Sequence, residues 1–308
     1  MKVLITGAAG FLGSALANYM VRDGYEVRGI DDLSAGDAKK LDPEVLFTRG
    51  DIMDRPKLWT LLQGVDCVFH LAARVAVQES ILYPREYNAT NVGGTVSLME
   101  AMRDVGVGRV VFASSGAVYG LQDKQPLAED MIPAPGSPYA VSKLSAEYYI
   151  RTIGQLWGIE TVSLRIFNAY GPGQHLPPSH PPVIPNFLRQ AAKHGTLVIH
   201  SIGNQTRDYV FLDDAIQAII AAGIKPNVDG KVINVGSGTE TSVQELADTI
   251  LTITESDAEV IYNPRAKSGM NRMRADISRA QEILGCQPSV SLEKGLRLTI
   301  ERDARFQR

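Results

Sequence analysis

The stretch Ser137-Pro138-Tyr139-Ala140-Val141-Ser142-Lys143 sets a phenol and an ammonium four residues apart, and on a helix that spacing puts both on one face. Ser137 is a helix-capping residue type and Pro138 suits a first turn, so Tyr139 is predicted near a helix start with Lys143 one turn further on. The chemistry that such a pair supports is proton transfer. A free tyrosine titrates near ~10, but an ammonium at roughly 4 Å in an effective dielectric of about 20 contributes around 4 kcal/mol, or roughly three pH units, to its phenolate. Ser115 follows Ser114 at the end of a predicted buried strand over 109–115, where doubly wound sheets place their ligands. Tyr-xxx-Lys pairs are common in unrelated chains, so the elements around this one carry the argument.

Those elements begin at the N-terminus. Residues 2–6, Lys-Val-Leu-Ile-Thr, form a short apolar strand pattern running into Gly7-Ala8-Ala9-Gly10-Phe11-Leu12-Gly13, after which 14–22 has helical spacing. In this strand, glycine turn and helix, Gly7, Gly10, Phe11, Leu12 and Gly13 are the predicted contacts of a dinucleotide pyrophosphate, whose charge meets the free amides and positive dipole of the helix start. The second strand, 26–30, ends in Asp31-Asp32. A carboxylate at Asp31 suits the ribose hydroxyls of NAD and repels the 2′-phosphate of NADP. Asp51 and Ile52 follow a third strand and are placed against the adenine. Residues 65–71 read as a fully buried strand, with His70 a strand-end core residue. Leu71, Ala72 and Ala73 then let the backbone pass close to the dinucleotide, and 87–103, through Asn91, is a helix candidate.

Near residue 170 the pattern changes. Residues 168–185 are rich in Pro, Gly and His and read as a long irregular connection into a second lobe. His175 and His180 are expected to be loop residues, because no carboxylate or cysteine stands at a regular metal-ligand spacing from them; no metal is expected. Residues 206–211 read as a strand carrying Arg207, Asp213 and Asp214 as dipole-favoured helix-start residues, and Ser242 with Glu245 as a capping box. The loop 267–276 is locally basic, and its arginines are of the type that clamps a diphosphate.

The composition bounds the rest. A net charge of -3 over 308 residues, with basic residues scattered, gives no reason to expect nucleic acid. Cys67 and Cys286 are too few for a disulfide framework, which favours a reducing compartment. Met1 is followed at once by a strand pattern and no segment reaches the length of a membrane span, so a cytoplasmic protein is expected.

Taken in register, Thr6-Gly7-x-x-Gly10-x-x-Gly13, Asp31, Asp51-Ile52, His70-Leu71-Ala72-Ala73, Ser114-Ser115, Tyr139-xxx-Lys143, Arg165-Ile166-Phe167-Asn168-x-Tyr170-Gly171-Pro172 and Arg207-Asp208-Tyr209-Val210 span nearly the whole chain. It resembles an extended short-chain dehydrogenase/reductase, and within that group the NAD-dependent sugar-nucleotide epimerases of the UDP-glucose 4-epimerase type. The resemblance implies an α/β fold: a Rossmann-like doubly wound parallel sheet over 1–173, to which 206–236 returns, and a smaller discontinuous α/β substrate lobe over 174–205 and 237–308. It implies Ser115, Tyr139 and Lys143 as catalytic residues, and Asn168 and Arg207 on the nucleotide diphosphate with Arg272 or Arg274 assisting. Met273 would line the sugar pocket. Many relatives carry an acidic residue soon after the loop glycine, whereas Met270-Asn271 follow Gly269 here, so the choice between the two arginines stays open. A homodimer through helices near 92–104 and 139–156 is implied by the same analogy.

The implied reaction is 4-epimerisation of a UDP-hexose through a transient 4-keto sugar. Related dehydratases place an Asp-Glu pair directly after the catalytic hydroxyl, and decarboxylases a Glu two residues after it; here Gly116 and Ala117 stand there, with no carboxylate for elimination. A sugar-nucleotide dehydratase or decarboxylase of the same superfamily stays the strongest alternative, followed by a keto-sugar reductase and, more remotely, a non-catalytic nucleotide-sensing protein. Glucose, glucuronate and N-acetylglucosamine forms of the substrate are all open.

Overall fold

The computed structural model describes residues 1–200, 202–263 and 271–307. Six strands, β1 (Lys2–Thr6), β2 (Glu26–Asp31), β3 (Leu46–Arg49), β4 (Cys67–His70), β5 (Arg109–Ser115) and β6 (Glu160–Ile166), join the later strand Lys231–Val235 in one seven-stranded sheet. All its pairings are parallel, in the order Lys231–Val235, β6, β5, β4, β1, β2, β3. The order reverses between β1 and β4, and open parallel sheets form their ligand crevice at the carboxyl side of such a reversal.

Both faces are covered, as the near-continuous apolar strands require. Val3, Ile5, Phe69 and Val111 pack with Leu16 and Met20 of the helix Phe11–Arg22 and with Ile216 and Ile219 of the helix Leu212–Ile224. Leu4, Val68, Val110 and Phe112 point the other way, against Leu98 and Met102 of Gly94–Val105 and Ala146 and Ile150 of Pro138–Trp157. The change of face between Leu4 and its neighbours is the two-residue period of a strand.

A third cluster gathers Ile184, Phe187 and Leu188 of Val183–Ala192, Leu246 and Ile250 of Val243–Thr254, and Leu296 of Leu292–Arg302. The parallel pair Thr196–His200 and Glu259–Asn263 packs with it through Leu197 and Ile199. Ser242 and Glu245 form the anticipated capping box, and Asp213 and Asp214 occupy a helix's first turn.

Five elements differ from the sequence reading, one being the strand expected over 206–211, which divides at Asp208 into Thr206–Arg207 and Tyr209–Phe211. The first helix starts at Phe11, because Gly10 is already extended and caps it. The buried strand expected over 65–71 shortens to Cys67–His70. The 87–103 helix divides into Pro84–Tyr87, a π-helical turn Asn88–Gly93 and Gly94–Val105, and the wide turn lies where the Asn91 side chain bonds outside its own helix. The 168–185 connection is not wholly irregular: Asn168–Tyr170 pairs in parallel with Tyr209–Phe211, and a helix begins at Val183. Ala280 and Leu284, from the segment assigned to the second lobe, pack into the cluster on the main sheet. Residues 267–270 of the basic loop lie outside the described residues. No helix among the described residues is long and apolar enough to cross a membrane.

Candidate active site

The carboxyl ends of β1, β2, β4 and β5 open onto a cavity of about 520 Å³. At one end lies the glycine turn. Gly7 takes a left-handed φ of 70°, and a Cβ at Gly13 would overlap the Gly7 carbonyl, so only glycine lets the helix start sit this close to the turn. The helix Phe11–Arg22 has no side-chain cap and no acidic residue in its first turn, which leaves its positive end uncompensated beside the cavity. Gly10, Phe11, Leu12 and Gly13 line the wall there.

Asp31 lines the same cavity from the end of β2. Its carboxylate accepts the Ala9 and Leu33 amides at 3.0 and 2.8 Å. Burial pushes this carboxyl above its ordinary range, while the two amides act to hold it ionised. Asp51, Ile52, Leu71, Ala72 and Ala73 complete this end, so every residue predicted to hold the dinucleotide is in one wall. An uncapped helix start for a pyrophosphate, a carboxylate for ribose hydroxyls and small side chains between them form a donor set that fits NAD.

Ser115, Tyr139 and Lys143 also line the cavity. The Ser137 hydroxyl accepts the Ala140 amide at 3.2 Å and Pro138 occupies the first turn, which places Tyr139 at the helix start as its local sequence dictates. The Tyr139 ring is buried edge-on against Tyr87, with ring centroids 6.4 Å apart. Burial pushes its phenol above the ordinary value, and the neighbouring Ser115 hydroxyl acts to lower it. Lys143 stands otherwise than the spacing suggested. Its ammonium donates to the Ala113 carbonyl at 2.8 Å and lies 4.8 Å from the Phe112 ring centroid. Burial pulls it down to about 7, against the opposing pull of Glu147. The Lys143 ammonium is thus turned first to a backbone carbonyl, and the Ser115 hydroxyl is the neighbour that acts to lower the Tyr139 phenol.

The predicted substrate residues divide. Asn168 lines the cavity, its amide donating to the Asp208 carbonyl at 2.9 Å. Arg207, Arg272, Met273 and Arg274 are not in its wall. Arg207 donates to the Thr206 carbonyl at 2.7 Å. Arg272 is engaged by Glu240 through two bonds of 2.7 and 2.6 Å, and this pairing pulls the Glu240 carboxyl down to about 2. The Arg274 Nε is buried without a hydrogen-bond partner, which makes Arg274 the less committed of the two. Met273 is buried with Val118, Leu127 and Phe167, and of these Phe167 reaches the cavity.

Two polar residues were not singled out from the sequence. Tyr209 pairs with Asn168 in strand register, lines the cavity, and has a buried hydroxyl without a hydrogen-bond partner. Its signal was its place beside Arg207 in a strand. Asn91 donates to Ser142 Oγ at 2.9 Å and to the Arg74 carbonyl at 3.0 Å, and Ser142 in turn bonds the Tyr139 carbonyl. An asparagine within a helical pattern was its signal, since that side chain competes for backbone groups.

Comparison with known proteins agrees with this geometry. Residues 3–236 match the model of the NAD dependent epimerase/dehydratase family. The chain is 38% identical to the UDP-glucose 4-epimerase of Mycolicibacterium smegmatis, over 98% of each protein. Its fold superposes with a TM-score of 0.94 on the Thermotoga maritima UDP-glucose 4-epimerase solved with UDP-glucose, at 35% identity and covering 98% of both chains. The Thermus thermophilus UDP-glucose 4-epimerase in complex with NAD gives 0.89, at 30% identity and again 98% of both chains.

Proposed function

We propose that this chain, which belongs to the NAD dependent epimerase/dehydratase family, is an isomerase that inverts C4 of a UDP-hexose through a transient 4-keto sugar. The observation that carries the reading is one cavity holding the glycine turn, Asp31, the buried Tyr139, and Ser115 followed by Gly116 and Ala117 instead of carboxylates.

Gly7, Gly10, Phe11, Leu12 and Gly13 would hold the NAD pyrophosphate, Asp31 the adenosine ribose, and Asp51, Ile52, Leu71, Ala72 and Ala73 the space around them. Held there, NAD would supply reversible hydride acceptance at C4. Tyr139 removes the proton of the C4 hydroxyl, and Ser115 hydrogen-bonds the reacting oxygen and steadies the charge on the phenol. Lys143 supplies positive charge behind Tyr139. Tyr139 then gives its proton back once the keto sugar has presented its other face, so the reaction is redox-neutral overall. Asn168 and Tyr209 are the polar groups of the wall at the nucleotide end, with Arg207 and Arg274 assigned to the diphosphate, and Met273 bounds the sugar.

Exposed Val141, Tyr148, Tyr149 and Leu156 on the helix Pro138–Trp157 support a homodimer through that helix. The reduced cysteines, Cys67 buried and Cys286 partly so, support a cytoplasmic setting. Incubation with NAD and a panel of UDP-glucose, UDP-glucuronate and UDP-N-acetylglucosamine, followed by NMR, tests the reading. C4 inversion in one of them is expected; loss of water or carbon dioxide overturns it.

A further inference from the structure

Glu147 lies on the same helix face as Tyr139 and Lys143, one turn beyond Lys143, and is 4% exposed. Its carboxylate is shared. One oxygen accepts the Ser114 hydroxyl and Arg165 Nε, the latter at 3.1 Å, and the other accepts an Arg165 terminal nitrogen at 2.9 Å. Ser114 directly precedes Ser115 on β5, and Arg165 leads through Ile166 and Phe167 to Asn168, all three in the cavity wall. A single carboxylate therefore ties the helix bearing Tyr139 and Lys143 to the strand ends bearing Ser115 and Asn168. Breaking a buried pair of this kind leaves an uncompensated charge, and its partners' positions move with it.

We propose that Glu147 is a positioning residue for the reaction: it fixes the β5 end that presents Ser115 to Tyr139 and supplies the counter-charge to the buried Lys143 ammonium. This rests on the function assigned above. Lys143 faces few other charges. Glu147 and Tyr139 share its helix, Arg165 comes from β6 and His70 from β4, with Tyr87 edge-on to Tyr139 and Tyr119 beneath Arg165. Among these, Glu147 is the one whose charge favours the ammonium.

The test compares wild type with Glu147→Gln, which keeps the size and loses the charge. The expected kcat falls by about 10²-fold, the scale of a small misplacement, while KM stays within about threefold. Tyr139 must be ionised and Lys143 charged to act, and because Lys143 at about 7 lies below the raised Tyr139 phenol, the lower-pH limb of the kcat profile carries the Lys143 pKa; without Glu147 that limb moves roughly one unit or more to lower pH. Glu147→Asp, which keeps the charge, restores that limb although not the full kcat. A wild-type kcat in Glu147→Gln, or a loss of kcat with that limb unmoved, overturns the proposal. If Glu147→Gln does not fold, Glu147→Asp decides: a limb displaced as far as a charge loss predicts overturns it. NMR titration of Lys143 in labelled protein, identified with Lys143→Arg, reads the same displacement without turnover, so failure of the proposed reaction and failure of this role are told apart.

Discussion

Met273 packs against Gly116: a Cβ at Gly116 would come within 2.7 Å of the Met273 terminal methyl and 3.2 Å of the Phe167 ring. The position at which related dehydratases carry their first acidic group is thus filled here by a side chain of the basic-loop segment. Gly116→Asp is expected to displace Met273 and destabilise the protein by about 1–3 kcal/mol, with slower epimerisation and no dehydrated product. Urea unfolding and NMR of the products check this. Substituting Met273→Ala beside it should make the two stability losses less than additive.

Removing the Ser115 hydroxyl removes the contact that lowers the Tyr139 phenol. The phenolate is the active base, and its raised pKa, above that of Lys143, stands on the higher-pH limb of the kcat profile. In Ser115→Ala that pKa rises further, and this limb moves to higher pH, with kcat down roughly 10²-fold or more. Ser115→Thr keeps a hydroxyl and should leave the limb near its wild-type place.

Asp31 sets the preference between the two nicotinamide cofactors. Asp31→Ser removes both the ribose acceptor and the repulsion towards a 2′-phosphate, so NAD affinity is expected to fall and NADP affinity to rise. Equilibrium titration of each cofactor measures the ratio; an unchanged ratio removes Asp31 from the ribose site.

His70 ties β1 to the helix Gly94–Val105, its ring nitrogens lying 2.7 Å from Thr6 Oγ1 and 2.9 Å from Thr95 Oγ1. Burial pulls it from 6.5 down to about 3. Between those values the unfolded chain binds a proton that the native one does not. Stability is therefore full above about pH 6.5 and falls as pH drops towards about 3, by an amount on the order of a few kcal/mol. Urea unfolding across that range measures the slope, and His70→Gln should flatten it.

The sequence carried the site unevenly, for physical reasons. Gly7, Gly10, Gly13 and Asp31 were readable because a tight turn and an uncapped helix start demand fixed residue types at fixed spacing, and all line one wall. Tyr139 was readable because Ser137 and Pro138 fix a helix start locally. Lys143 was placed on the right face, but its electrostatic role was not legible, since that depends on the Ala113 carbonyl and Glu147. Glu147 and Asn91 act through partners distant in the chain, and Tyr209 reaches the wall through a strand pairing with Asn168, so the chain around each residue says little of its place. Arg272 and Arg274 lie two residues apart, and only folding tells them apart: Glu240 engages the exposed first, while the Nε of the second is buried.

The central claim, removal and return of one hydride at C4, is tested most directly with UDP-[4-²H]glucose and enzyme carrying NAD in ordinary water, followed by NMR of the product. The account predicts UDP-galactose with deuterium retained at C4, no net NADH, and no product formed by the Tyr139→Phe variant. Exchange of the C4 label with solvent, a product lacking water or carbon dioxide, or full turnover in Tyr139→Phe would contradict it.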